Sequence, residues 1–122
     1  MIEIEPRPLT ERERSVLAKI YAALGEPARE TMLAQLDHLS VTARWAADSA
    51  SVEIQPAAGH RPARADVPGG VLPVDAVVYD DAELVGEILV WIESGVLAGI
   101  EYAYYMGDTP AELPAPDQVT VP

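Results

Sequence analysis

The sequence predicts an α+β fold: two N-terminal helices packed on an antiparallel sheet of about five strands, closed by a Pro-rich C-terminal tail. Three observations carry this. Apolar residues recur at helical spacing between Thr10 and about His38. From about Leu39 the period changes to two. The stretch LVGEILVWIESGVLAGIEYAYYM, residues 84–106, reads as two strands folded back through Ser94-Gly95.

The elements follow in order. Residues 1–9 form an arm in which Ile2 and Ile4 alternate with Glu3 and Glu5 ahead of Pro6 and Pro8, suiting an edge strand or a loose segment. Thr10 followed three residues later by Glu13 is the spacing of a capping box, and Glu11 and Glu13 complement the helix dipole. Val16, Leu17, Ile20, Tyr21 and Leu24 share one helical face. Gly25 is expected to stop this helix, and Pro27 to open a second that runs to about residue 38, with Met32, Leu33, Leu36 and Leu39 inward. Val41, Ala43 and Trp45 then alternate as a strand, Asp48-Ser49 turns, and Val52 to Gln55 form the next. Residues 56–71 make a long Pro-, Gly- and Ala-rich loop, expected to be mobile or to contact something. Val74, Ala76 and Val78 mark a third strand, and Asp80-Asp81-Ala82 turns the chain into the hairpin. Residues 107–122 read as an extended tail laid over the domain.

A two-residue Ser-Gly turn sets the hairpin register, so Ile92 should face Leu97, Trp91 Ala98, Val90 Gly99, and Leu89 Ile100. Alternation then puts Ile88, Val90, Ile92, Gly99, Glu101 and Tyr105 on one side. Glu87, Leu89, Trp91, Ile100, Tyr102 and Tyr104 take the other. Both sides are largely apolar, which is unusual for a hairpin with one wet face. The helices are expected on the Ile88 side. The Trp91 side is left for the tail, a second copy or a partner. Glu101 would sit among apolar neighbours and need an Arg from the helices, such as Arg12, Arg14 or Arg29.

Composition narrows the function. The chain has 122 residues, 49% of them hydrophobic, and a net charge of −12, the size and balance of one folded domain. There is no cysteine, which excludes disulfides and thiol chemistry and fits a cytoplasmic protein. No signal peptide and no membrane-length apolar run is present. All eight basic residues lie at or before Arg64, against nine acids there. Residues 65–122 carry eleven acids and no Lys or Arg. Such a field repels nucleic acid and anionic membrane and attracts basic partners, although an acidic surface also serves solubility alone. Arg61 and Arg64 of the long loop could dock on this acidic half.

Catalytic and metal signals are weak. There is no phosphate loop, nucleophile elbow or paired-His spacing. His38 reads as a helix-end cap, and His60 as a loop residue. Asp80, Asp81 and Glu83 could hold a hard cation, but three acids in one turn are more often simply solvated. No catalytic residue, cofactor or metal is assigned. The residues expected to meet a partner are Glu87, Trp91, Glu101, Tyr102, Tyr104, Tyr105, Asp80 and Asp81.

The segments LTERERSVLAKIYA, VTARWAADSASVEIQP, LPVDAVVYDDAELVGEILVWIESGVLAGIEYAYY and DTPAELPAPDQV together resemble a family of small acidic α+β proteins of high-G+C bacteria. Some of its members are similar to immunity proteins that neutralise toxins. The resemblance implies an architecture and assigns no catalytic residue. The expected function is a non-enzymatic interaction module, an immunity- or antitoxin-like inhibitor masking a basic site on a toxin-like protein. Two alternatives stand beside it: a small-ligand binder or enzyme with Glu101 and Tyr105 in a pocket between helices and sheet, and a homodimer pairing its Trp91 faces.

Overall fold

The computed structural model describes all 122 residues. Helices α1 (Glu11–Tyr21) and α2 (Ala28–Gln35) cover one face of an antiparallel sheet. The sheet has eight strands, three more than expected. β2 (Leu39–Arg44), β3 (Val52–Pro56), β5 (Val77–Asp80), β6 (Glu83–Glu93) and β7 (Val96–Tyr104) correspond to the strands that alternation marks, except that β5 begins at Val77 and leaves Val74 and Ala76 outside it. The arm adds β1 (Ile2–Arg7), the long loop adds β4 (Gly70–Val71), and the tail adds β8 (Val119–Thr120). Two-residue strands are too short to show a period, which is why β4 and β8 escape a sequence reading. The order is β1-β2-β3-β7-β6-β5-β8, with β4 pairing the far end of β6.

The capping box forms. The Glu13 amide donates to Thr10 Oγ1 (3.1 Å), and the Thr10 amide donates to Glu13 Oε1 (2.8 Å). Arg7 reaches the same carboxylate through both guanidinium nitrogens, at 2.9 and 3.1 Å. Glu13 is only 5% exposed, so these donors supply the compensation a buried carboxylate needs, and they tie β1 to α1. The helix ends differ from expectation. α1 stops at Tyr21, short of Gly25, whose φ is not left-handed. α2 stops at Gln35 and continues as a 3₁₀ turn, Leu36–His38. His38 therefore caps no α-helix; its Nδ1 lies 2.8 Å from Nδ1 of His60 instead.

The long loop is fastened rather than free. Buried Gln35 donates from Nε2 to the carbonyls of Ala63 (2.7 Å) and Gly95 (2.8 Å), and its Oε1 accepts from the Leu97 amide (3.1 Å). Gly95 has φ +77, and a Cβ there would stand 2.5 Å from the Ala65 carbonyl oxygen. The turn and the loop packed on it therefore both require glycine. The tail runs along the helix side: Leu113 is buried in the core, its carbonyl accepts from Arg12 (2.8 Å), and the Pro116 carbonyl accepts from Lys19 (2.7 Å).

The hairpin turn forms as expected, but the register beyond it does not. Glu93 pairs with Val96 and Ile92 with Leu97, whereas Trp91 pairs with Gly99. Ala98 is the extra residue of a β-bulge, and each later residue of β7 moves to the opposite face. Ile100 and Tyr102 thus join Ile88 and Val90 in the core, at 0% and 5% exposure. Gly99, Glu101 and Ala103 turn outward, opposite Trp91, Leu89 and Glu87. The two-sided apolar ribbon expected from unbroken alternation becomes a strand pair with one apolar face. No helix is long and apolar enough to cross a membrane.

Candidate functional site

The outer sheet face, away from the helices, carries the site. Its rows follow from the strand register. Glu3 lies opposite Ala43, Ala43 opposite Glu53, Glu53 opposite Gly99, and Gly99 opposite Trp91. Cross-strand partners share a face, and Trp91 in turn lies opposite Val71 of β4, so one row crosses six strands with two small residues as floor and carboxylates beside an indole. The next row pairs Glu101 with Leu89, and the one after pairs Ala103 with Glu87. Part of the first row borders an open groove of about 900 Å³, with Ala43 and Trp91 lining it alongside Met1, Ile4 and Trp45. Glu3, Glu53 and Glu93 line it too, and no Lys or Arg does.

Trp91 is 36% exposed and held in place: its indole Nε1–H donates to Glu101 Oε1 at 3.1 Å. Glu53 approaches from the other side. A Cβ built on Gly99 would be 3.1 Å from Glu53 Oε2 and 3.7 Å from Trp91 Cβ. Gly99 itself is buried, and the Glu53 carboxylate lies close over its backbone, towards the base of the Trp91 side chain. Glu53 forms no ion pair. Tyr105 stands exposed farther along, its phenol raised above the ordinary value by desolvation and then by the neighbouring Glu87 carboxylate.

The eight residues expected to meet a partner separate into three groups. Glu87, Trp91, Glu101 and Tyr105 lie on or beside the outer face. Tyr102 is buried with the core, and Tyr104 packs edge-on against it at 5.5 Å between centroids. Burial, then Tyr104 and Asp80, raise the Tyr102 phenol. The bulge is the reason both tyrosines lie on the core side of the hairpin. Asp80 and Asp81 sit at the exposed β5–β6 turn, away from the groove, with Asp81 in the left-handed region at φ +55. No group of three or more potential ligands converges on a metal position.

Three other expectations need correction. Glu101 meets no Arg and lies outside the helix–sheet core, because the bulge turned it outward. Glu101 and Tyr105 are turned away from the helices, so they do not share a pocket between helices and sheet. Arg61 and Arg64 form no ion pair with the acidic half. The three ion pairs, Arg7–Glu13, Arg14–Asp37 and Arg29–Glu26, all fall before residue 64, so the acids after it stay unneutralised.

A smaller cavity of about 240 Å³ gathers Arg7, Arg12 and Arg44 near the start of α1. These cations are occupied by Glu13 and by the carbonyls of Leu113 and Ser49, which makes the cluster a fastening point for arm, tail and helix. Glu3, Glu53 and Trp45 are not among the site residues the sequence leads one to expect. Alternation places Glu53 opposite in sense to Val52 and Ile54, but nothing in the sequence pairs β3 with β7. No family model, curated protein or solved structure matches this chain.

Proposed function

We propose that the protein is a non-enzymatic interaction module whose outer sheet face masks a basic site on a partner protein, in the manner of an immunity- or antitoxin-like inhibitor. The observation that supports this best is the groove itself: a fixed, exposed indole among carboxylates, with no Lys or Arg along it. Trp at the centre of an interface supplies contact area, while charge of one sign speeds encounter and disfavours wrong partners. The experiment is capture by the tagged full-length chain in its source cells at low salt. A stoichiometric basic protein, released by salt and lost with Trp91→Leu or Glu53→Gln, is the expected result. Recovery of the same protein by both variants, or of none, contradicts the reading.

Pairing of two copies through the same face is disfavoured. It would bring Glu53 and Glu101 of each copy against those of the other without a cation between them, and like charges brought face to face oppose association.

A further inference from the structure

The reading of the outer face as a site for a basic partner leaves open which cation it takes, and the geometry around Gly99 answers that. We infer that the exposed Trp91 indole and the Glu53 carboxylate, both lining the outer groove, form an arginine-recognition site, filled by a guanidinium on an extended segment of the partner.

Four features converge. The indole of Trp91 is exposed and its plane is fixed by the bond to Glu101, so a flat group can stack on it without ordering the ring first. The Glu53 carboxylate leans over Gly99 beside that ring and has no cation of its own. Residue 99 has no side chain, and a Cβ there would crowd both Glu53 and the Val52 carbonyl (3.0 Å), so glycine is what lets the Glu53 carboxylate lie across β7 towards Trp91. The groove continues past Ala43 to Glu3, which gives a neighbouring cation of the same segment a second carboxylate.

A guanidinium suits this arrangement better than an ammonium. It is planar and weakly hydrated, it stacks on aromatic faces, and its edge offers parallel N–H donors to a carboxylate. Lysine presents a compact, strongly hydrated charge that can satisfy Glu53 but gains less from the indole. Glu101 sits at the Nε1 edge of the ring, where its charge adds to the attraction for a cation seated over the indole.

The test uses the full chain and three capped peptides: Gly-Arg-Gly-Arg-Gly, the same peptide with lysine, and the same with neutral citrulline. Each is titrated at low salt while the Trp91 indole N–H resonance is followed. The arginine peptide should bind about tenfold more tightly than the lysine peptide, and the citrulline peptide should give no saturable shift. Trp91→Phe should keep part of the preference, and Trp91→Leu should abolish it while leaving salt-sensitive binding at the lysine level; for these variants a backbone amide beside Gly99 is the reporter. Equal binding of the arginine and lysine peptides overturns the arginine assignment and leaves the basic-partner reading standing. Saturable binding that neither Glu53→Gln nor Trp91→Leu alters places the site elsewhere and also overturns it. Absence of any saturable shift, with no basic partner captured, removes both. A dimer in sedimentation that Trp91→Leu dissolves would give this face to a second copy and overturn the assignment as well.

Discussion

Tyr21 shows how a single residue can be well packed and poorly satisfied at once. Its ring is fully buried between α1 and the sheet, and its hydroxyl has no hydrogen-bond partner. The sequence shows the ring's placement, since Tyr21 falls on the apolar stripe with Val16, Leu17 and Ile20. It does not show the missing partner, because that depends on which carbonyls the sheet brings near. An unpaired buried hydroxyl costs about 1–3 kcal/mol, so Tyr21→Phe is expected to leave stability unchanged or raise it by about 1 kcal/mol, read as a urea midpoint at pH 7. Burial also raises the phenol's pKa far above the ordinary value of 10.0, so the folded state keeps the proton that the unfolded chain releases. Stability is therefore complete below about pH 10 and falls as the pH rises above it, by roughly 1.4 kcal/mol per unit for this group. Tyr21→Phe should lose stability less steeply than the parent above pH 10. A variant clearly weaker at pH 7, or one with the parent's alkaline slope, would show that the hydroxyl has a partner.

At the level of elements, the legible features are those whose causes are local. The Thr10–Glu13 box and the Ser94-Gly95 turn each involve residues within a few positions, and both form as read. The bulge at Ala98 has no such signature. Alanine fits either face, and the register is decided by what is gained when Ile100 and Tyr102 reach the core and Glu101 leaves it. A reading that carries strict alternation through Ala98 therefore mistakes both faces and makes an ordinary surface glutamate look buried. Gln35 is invisible for a similar reason: its partners include Gly95, 60 residues away. It joins α2, the long loop and the hairpin turn through three hydrogen bonds. Gln35→Leu keeps the volume roughly but leaves the buried Leu97 amide without an acceptor. The expected cost is about 2–3 kcal/mol in the urea midpoint, with the Leu97 amide and residues 63–65 losing hydrogen-exchange protection first. Protection lost evenly across the chain would mean that the loop and turn are held by other contacts.

For the whole molecule, the uneven charge is plain in the sequence, but its placement is not. Which acids share a surface depends on pairing β3 with β7 and on the bulge, so Glu53 and Glu101 come together only in three dimensions. The fold leaves this charge unrelieved: three ion pairs, none involving an acid after residue 64, stand against a net charge of −12. Self-repulsion of this kind weakens the compact state and is screened over about 10 Å at 0.1 M salt. Raising sodium chloride from about 0.02 to about 0.3 M should therefore stabilise the chain by roughly 1 kcal/mol, or roughly 3–5 °C in Tm. Choline chloride should act equally, because screening depends on ionic strength and not on a cation site. The same rise in salt should weaken a basic partner's complex, so stability and affinity are expected to move in opposite directions. A flat Tm would mean that the acids are already too far apart in the folded chain to repel, and a gain specific to one cation would point to a bound ion.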